Sequence, residues 1–410
     1  MTTSHDVVVI GAGAAGIAAA ARLQEAGRRV LLVEASTRIG GRAWTETIDG
    51  MAIDLGCGWL HSADRNPMVA LAERSGFAVD RSRSAWGEQY RDLSFSAAEQ
   101  EAAHRAWERF EHRIETAPPP SDRAGEAMPV DDPWRGYAEA LSGYMNGAEL
   151  DRLSIADFLA YDTKATDHNW RVPAGYGALV AAQLPAAAMA LATAVTEIAL
   201  TRDGVRIVTD RGSIEAAAAV VTVSTNVLAG GAIALPQAAR GHVEAASRLP
   251  LGLADKLFLA LDGEHGLAAE THLIGDPRRA ETGSYYMRPF GRPMIEAFFG
   301  GRGAVMLERE GLGAAVAFAL DELAGLLGSG IRRHLRPMIG SSWCRMTHVR
   351  GSYSHALPGH ADARGVLATP IEDRLFFAGE ATHPFDFSTA HGAWESGERA
   401  AGEVVAVLGG

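Results

Sequence analysis

The sequence predicts an α/β chain in which a parallel-sheet, dinucleotide-binding domain is interleaved with an α+β domain that carries a helical subdomain. Three observations predict it. An apolar run ends in GAGAAG near the N-terminus, a second apolar run leads into a glycine turn and a helix near the C-terminus, and a helical stretch between them gives way to short β-branched runs. At 410 residues the chain is too long for one ordinary core and fits two domains of roughly 150 to 250 residues each.

The elements follow in order. Asp6 to Ile10 reads as a buried strand, the alanine-rich stretch to Ala26 as a helix, and Val30 to Glu34 as the next strand, which is the Rossmann-like strand, turn, helix, strand pattern. Pro67 to Asp157 is helical in pattern and is interrupted by an acidic, proline-rich stretch from Ala117 to Asp132, expected to be a mobile surface loop. From Ala194 the runs VTEIAL, GVRIVT and AVVTVS, separated by turn residues, predict a small antiparallel meander. Lys256 to Leu261 and Met294 to Phe299 predict strands of a second sheet, and Ala314 to Leu327 a helix after it. Arg374 to Ala378 predicts a buried strand, and Ala390 to Leu408 the closing helix.

Composition bounds the function. The chain is 47% hydrophobic and 21% charged, and no apolar run reaches the ~18 residues a membrane-spanning helix needs. The N-terminus lacks the basic and apolar segments of a signal peptide, so the cytoplasm is the expected compartment. A net charge of −12 argues against a nucleic-acid partner and is compatible with a cationic substrate or with solubility alone. Two cysteines, Cys57 and Cys344, make neither a disulfide framework nor a zinc site, so no metal is expected and redox work needs an organic cofactor.

Gly11, Gly13 and Gly16 fit the dinucleotide fingerprint: the first for the tight turn, the second for approach of a diphosphate, the third for packing of helix on strand. Glu34 closes the second strand, where a ribose diol needs an acceptor. Gly40, Gly41 and Arg42 suit a backbone passing close to a phosphate beside a fixed cation, which favours FAD over NAD. Asp54 to His61, with Gly56 among its small residues, suits main chain lying against a flat ring. At the C-terminus, Gly379 and Glu380 end a strand. The helix starting near Ala390 would direct its N-terminal dipole at the negative charge of a reduced flavin.

The motifs DVVVIGAGAAG, EASTRIGGR, DLGCGWLH followed by NP, VVTVSTNVL, LGLADKLFLAL, GSYS and LFFAGEATHPFDFSTAHGA run collinearly along nearly the whole chain. Together they resemble the successive motifs of the flavin-containing amine oxidases, the family of monoamine oxidases, polyamine oxidases and flavin-dependent lysine demethylases. The resemblance implies FAD contacts at Gly11, Gly13, Gly16, Glu34, Arg42, Val195, Gly379, Glu380 and Ala390. It places Val195 on the adenosine side, and Thr389 with Ala390 beside the flavin ring. It puts Lys256 where the family holds a lysine that binds a water bridging to flavin N5, and Tyr353 on the wall of the amine pocket. Trp59 and His61 resemble the WxH of polyamine oxidases, so His61 is a candidate contact and proton acceptor for a substrate nitrogen, against the alternative of a structural histidine. A lone lysine is more often at a strand edge with its head in water, and Tyr353, Trp343 and Trp394 taken singly read as packing residues.

Some positions depart from the family. Thr389 stands where many members carry a second aromatic of the cage, Ser36 where an arginine is frequent, and Ser224 where a proline is. No cysteine precedes Tyr353 as in members with covalent flavin, so FAD is expected to be non-covalent. The implied layout assigns 1–62, 170–228 and 345–410 to FAD and 63–169 with 229–344 to the substrate. The implied reaction is oxidation of a small-molecule, polyamine-like amine: the α-carbon hydride passes to flavin N5, the imine is hydrolysed, and dioxygen reoxidises the cofactor to give hydrogen peroxide. Alternatives on the same fold are a desaturase, a porphyrinogen-type oxidase, or an amino-acid oxidase that would need an arginine such as Arg65, Arg288 or Arg292 for its carboxylate. A non-catalytic flavin-binding protein is the third class.

Overall fold

A computed structural model describes residues 5–409. The chain forms two compact units, the first made of residues through Arg81, Ala160–Leu251 and from Met346 onward, the second of Ser82–Leu159 and Gly252–Arg345. In order, the first unit begins with β1 (Val7–Ile10), α1 (Ala14–Glu25), β2 (Val30–Val33), the hairpin β3 (Thr45–Ile48) and β4 (Met51–Asp54), and α2 (Pro67–Arg74). The second unit follows with α3 (Ala97–Thr116), α4 (Arg135–Asn146) and most of α5 (Ile155–Asp162). The chain re-enters the first unit through α6 (Tyr176–Ala182), β5 (Ala188–Ala190), β6 (Val195–Leu200), β7 (Val205–Thr209), β8 (Gly212–Ala216), β9 (Ala218–Val221), α7 (Thr225–Ala229) and α8 (Arg240–Arg248). It then builds β10 (Ala254–Leu261), β11 (Thr271–Ile274), β12 (Ser284–Met287), β13 (Met294–Gly300), α9 (Gly301–Glu310), α10 (Leu312–Leu327) and β14 (Leu335–Gly340) of the second unit. The first unit closes with α11 (Ala363–Ala368), β15 (Leu375–Phe377) and α12 (Ala390–Leu408).

The first unit is organised by a parallel sheet in the order β15-β9-β1-β2-β5. β15, β9, β1 and β2 are apolar because both faces are covered, whereas the edge strand β5 is largely exposed. Val7 and Val9 pack with α1 and α12 on one face, while Val8 and Ile10 pack with the meander, α8 and α11 on the other. Strand order reverses between β1 and β9, and the carboxyl ends of the strands at such a point are where open α/β sheets bind ligands. The α12 helix packs along α1 because Gly397 has no side chain: a Cβ there would strike the carbonyl of Ala15. In the second unit the sheet order is β11-β12-β13-β10-β14, antiparallel throughout, with β10 buried along its whole length. A separate core around Phe110, Tyr137 and Leu150 ties together α3, α4 and the turn that follows.

Three expectations change. The run AVVTVS does not complete the meander: Gly212–Ala216 is its third strand, and Ala218–Val221 joins the parallel sheet between β1 and β15. Burial explains the difference, since every residue of β9 is buried, as a two-faced sheet requires, whereas β8 is mostly exposed. The stretch 117–132 is not a free loop, because Ala124, Ala127 and Met128 are buried and Arg135 Nη1 donates to the carbonyls of Gly125 and Met128. Unit boundaries also fall later than expected at 62 and 228 and earlier at 170. The α2 helix buries Met68 and Ala72 beside Ile17 and Leu60, and α8 buries Ala245 and Ala246 beside Ile198 and Phe377, so both belong to the first unit. Among the described residues, no helix is long and apolar enough to cross a membrane.

Two glycines on one helix should therefore respond oppositely to alanine. Gly397→Ala is expected to destabilise by about 1–3 kcal/mol through overpacking against α1. Gly402→Ala, with no atom within 4 Å of its added Cβ, should stabilise by up to ~1 kcal/mol through helix propensity. Urea unfolding midpoints read both, and equal effects would refute the packing argument.

Candidate active site

The glycines after β1 do different jobs. A Cβ on Gly16 would strike the carbonyl of Gly11 and lie 3.1 Å from Thr222 Oγ1, so protein packing alone demands this glycine. Gly11 needs its positive φ of 103°. Gly13 differs: a Cβ there would come no closer than 3.8 Å to any protein atom, and its φ of −81° suits any residue. Protein packing therefore does not demand a glycine at this position. Gly13 caps the start of α1, whose first turn has neither an acidic residue nor a side-chain cap, a donor-rich end suited to a diphosphate. Residues 40 and 41 run beside it, with Gly40 N–H donating to Ala12 O at 2.7 Å.

Glu34 sits at the end of β2 as the motif requires. Its carboxylate accepts from Ala12 N–H at 2.8 Å and from Ser36 N–H at 2.7 Å, while Ser36 Oγ lies 2.7 Å from both Glu34 Oε1 and Arg38 O, so at least one of its four lone-pair sites is left for a ribose hydroxyl. Ser36, where an arginine is frequent, thus orients this acid. Thr193 N–H bonds Glu34 O at 2.9 Å and so brings the start of β6, with buried Val195, to the same edge. The 54–61 segment follows the diglycine loop, since Cys57 N–H bonds Arg42 O at 3.3 Å, which sets Gly56 beside Arg42. Arg42, Val221, Val223, Gly379 and Glu380 line one crevice at the carboxyl ends of β9 and β15. Gly379, with φ 135° and no atom within 4 Å of an added Cβ, again leaves room.

Glu380 is completely engaged by protein. Its Oε1 accepts from Arg42 Nη1 at 2.8 Å and Ser354 N–H at 3.2 Å, and its Oε2 from Ser354 Oγ–H at 2.6 Å and Ser388 N–H at 2.9 Å. Burial pushes this carboxyl up, but Arg42, the Ser354 hydroxyl and the buried Arg364 outweigh it and hold it below the usual range. Arg364 Nη1 donates to Ser354 Oγ at 2.9 Å and stacks 3.5 Å from the centroid of Phe387. Arg42 Nη1 also reaches Ser352 O at 2.6 Å, so Tyr353 is bracketed on both sides.

Thr389 is the N-cap of α12. Its Oγ1 accepts from Gly392 N–H at 3.0 Å and donates to Asp386 O at 2.6 Å, so its hydroxyl builds the helix start on which Ala390 is the first residue. His61 Nδ1 lies 2.7 Å from Asn169 Oδ1, and Asn66 Nδ2 donates to His61 O. Arg65 meets Asp386 with two nitrogens, at 2.7 and 2.5 Å, and His391 Nε2 lies 3.2 Å from the same carboxylate. Burial raises the Asp386 carboxyl, yet Arg65 and His391 together hold it well below the usual range. Arg65 is therefore committed to an internal pair, which removes it as the carboxylate receptor of an amino-acid oxidase. His383, Asp386 and Glu395 bring ligand atoms within 4.8 Å of one another, but the Arg65 pair already neutralises Asp386. Trp394 is packing, as expected, in a cluster with Ile17 and Tyr176.

Residues 14–142 and 96–405 match the flavin containing amine oxidoreductases. The chain belongs to that family. It is 28% identical to polyamine oxidase 2 of Arabidopsis thaliana over 98% of this chain and 88% of that protein. It is 29% identical to lysine-specific histone demethylase 1 homolog 3 of Oryza sativa subsp. indica over 98% of this chain but 54% of that longer protein. Its fold superimposes on putrescine oxidase (TM-score 0.77, 20% identity, covering 98% and 99% of the two chains). It also superimposes on cyclohexylamine oxidase of Brevibacterium oxydans (TM-score 0.79, 18% identity, 99% of each). The family fixes a flavin cofactor and amine oxidation as the chemistry.

In the second unit of this amine oxidase, Lys256 is not at a strand edge. It lies on central β10 with only 8% of its surface exposed, and its Nζ is 2.8 Å from Glu296 Oε1 on β13. Its backbone is fixed by Ser341, which accepts Lys256 N–H at Oγ and donates its own N–H to Lys256 O, both at 2.9 Å. Asp255 next door accepts from Ser341 Oγ–H at 2.6 Å and Trp343 N–H at 3.2 Å, so buried Trp343 is held by the same acid. Arg288 donates to the carbonyls of Leu267 and Gly291, and Arg292 stacks on Phe290. The sequence reading missed Ser354, Ser388, Arg364, Asp255 and Glu296. Each is a common residue type whose partners lie far away in sequence, so no local pattern marks it.

Asp255 yields a pH test. Burial raises its carboxyl to about 6, and its Oδ2 has no hydrogen-bond partner. The folded state therefore binds a proton more tightly than the unfolded state. Stability should fall as pH rises from ~4 to about 6 and stay lower above, with a total on the order of 2–3 kcal/mol. Asp255→Asn should remove that slope, read from urea midpoints across the range; an unchanged slope would assign it elsewhere.

Proposed function

We propose that this chain oxidises polyamine-like alkyl amines, with non-covalently held FAD as the electron acceptor and dioxygen as the final oxidant, releasing hydrogen peroxide. One observation carries the reading. The Glu380 carboxylate joins Arg42 of the diglycine loop to the residues flanking Tyr353 and Thr389, so the cofactor-side and amine-side motifs form one hydrogen-bonded unit. When bound, FAD supplies a two-electron acceptor for the hydride leaving the amine α-carbon.

The protein's own groups do the rest. The backbone at Gly13 and the uncapped start of α1 would take the diphosphate, Glu34 the adenosine ribose, with Gly41, Gly56, Val195, Gly379 and Ala390 shaping the cradle. Tyr353, half-buried on its bracketed turn, offers an aromatic face to the amine. His61 Nδ1 lies 2.7 Å from Asn169 Oδ1, so in the tautomer that donates there Nε2 would be the atom to take a proton from an incoming ammonium. Lys256, paired with Glu296, is assigned the solvent-organising role that the family gives a lysine at this place. Cys57 gives its N–H to Arg42 O, and Cys344 is exposed in the second unit.

Anaerobic mixing of the FAD-loaded protein with putrescine, spermidine, spermine and simple alkyl amines should bleach the oxidised flavin, and air should restore it with one peroxide per amine. His61→Asn should slow bleaching about a hundredfold at neutral pH, with recovery in alkaline buffer. No bleaching by any amine while FAD is retained would sink the function.

Acid precipitation should release all the flavin into the supernatant. Gly13→Ala should leave the urea midpoint of the apoprotein within about 0.5 kcal/mol of the parent while weakening FAD binding at least tenfold. Flavin retained in the pellet would contradict non-covalent attachment, and unimpaired binding would remove Gly13 from the cradle.

A further inference from the structure

β14 ends at Gly340, opposite Leu257 of β10, so the next rung of the ladder falls on Lys256 and Ser341. One half of that rung is ordinary backbone, Ser341 N–H to Lys256 O at 2.9 Å. The other half is a side chain: Lys256 N–H donates to Ser341 Oγ at 2.9 Å, and the same hydroxyl donates to Asp255 Oδ1 at 2.6 Å. Asp255 Oδ1 also accepts from Trp343 N–H at 3.2 Å. The backbone of the lysine is thus held by a hydroxyl whose direction an acid sets.

Orienting a serine does not by itself require an acid. Asp255 is 8% exposed, and its Oδ2 has no hydrogen-bond partner. The titratable groups facing it are Glu308 of α9, which opposes its ionisation, and Cys344, whose N–H donates to Glu308 Oε1 at 2.8 Å, while β13 sets Phe299 opposite it. An amide would accept from Ser341 and Trp343 without burying a charge. What the carboxyl adds is two states. Ionised, its bonds to the hydroxyl and to Trp343 N–H are charge-assisted and roughly twice as strong as when it is neutral.

We propose that Asp255 is a positioning residue for Lys256. Through Ser341 Oγ it holds the lysine's backbone firmly when ionised and loosely when protonated, and so governs how steadily the lysine Nζ, 2.8 Å from Glu296 Oε1, is presented. Side chains of a strand alternate between faces, so Asp255 and Lys256 leave β10 on opposite sides and the coupling runs along the backbone. The inference rests on the solvent-organising role given to Lys256 above. It makes rate and stability move in opposite directions. Ionisation through about 6 lowers stability, as a raised carboxyl must, while it firms the lysine.

The test compares the FAD-loaded parent with Asp255→Asn, Ser341→Ala and Lys256→Met, each photoreduced without amine and then mixed with air-saturated buffer. The reaction passes two electrons and two protons to dioxygen, gives hydrogen peroxide and needs no substrate. In the parent the rate should rise about fivefold between pH ~5 and pH ~8, with a midpoint of about 6. Asp255→Asn should keep the acid-side rate throughout, although above that midpoint it unfolds at higher urea than the parent. Ser341→Ala, which removes the hydroxyl and covers the case in which Asp255→Asn folds poorly, should be slow with no rise. In the apoprotein both variants should exchange the Lys256 amide faster than the parent, Ser341→Ala by about tenfold or more. A rise that persists in Asp255→Asn, or a rate that falls in step with stability, overturns the inference. Lys256→Met reoxidising at the parent's rate overturns the role of the lysine itself, and a parent inert toward every amine overturns the amine reading, so the three failures are distinct.

Discussion

One buried carboxylate determines the arrangement of the first unit's chemistry. Glu380 is 4% exposed, and an uncompensated ion there would be costly. The cost is met by charge-assisted hydrogen bonds from four donors on three separate stretches of chain, around residues 42, 354 and 388. The interaction is therefore cooperative. None of the donors can be withdrawn without leaving part of a buried charge unsatisfied, so the three stretches are held as a set. Arg364, stacked on Phe387, closes the charge balance from the far side of Ser354.

The sheet delivers the turn that leads to Ser388 to the same edge as the glycine turn after β1. Its strands run parallel, so the turns after β1, β9 and β15 leave at the same end. Thr222, just past β9, donates Oγ–H to Ile10 O at 2.8 Å and seals the end of β1, while Arg399 of α12 donates to Phe377 O at 2.6 Å and seals β15. The small residues of α1 and α12 let these two helices lie close together on one face, and their N-termini open toward that edge without acidic residues in either first turn. A polar site is thereby built on an apolar scaffold whose own backbone groups are already paired.

Legibility in the sequence followed the range of the interactions. The strand–turn–helix units at both ends were readable because apolar runs, glycines and a capping threonine act within a few residues, and the helix Ala390–Leu408 falls where periodicity puts it. The misassigned strand, AVVTVS, was ambiguous for a physical reason: a short apolar run suits a meander and a covered parallel sheet equally, and only burial on both faces decides. The site was legible as a set of motifs but not as a network. Glu380 and Thr389 were singled out as a cofactor contact and a cage residue. Their commitments to Ser354, Ser388 and Gly392 depend on chain segments brought together only by the fold. Lys256 was legible by motif, whereas Glu296 beside it is one of many acids on a strand and carried no signal.

Glu380 in the first unit and Asp255 in the second show how donor supply sets the character of a buried carboxyl group. Glu380 and Asp255 are both nearly inaccessible, and burial alone pushes each toward the neutral form. Glu380 meets a guanidinium and three further donors, and its carboxyl is held below the usual range. Asp255 meets Ser341 and Trp343 through one oxygen while the other has no partner, and Glu308 nearby opposes its ionisation, so its carboxyl rises to about 6. The first is a fixed anion that can serve as a permanent clamp. The second can gain or lose a proton near neutrality, and it sits next to Lys256 on the same strand, bonded to the serine that holds the lysine's backbone. Rigidity around Tyr353 and Thr389 and adjustability around Lys256 thus follow from the same principle applied with different numbers of donors.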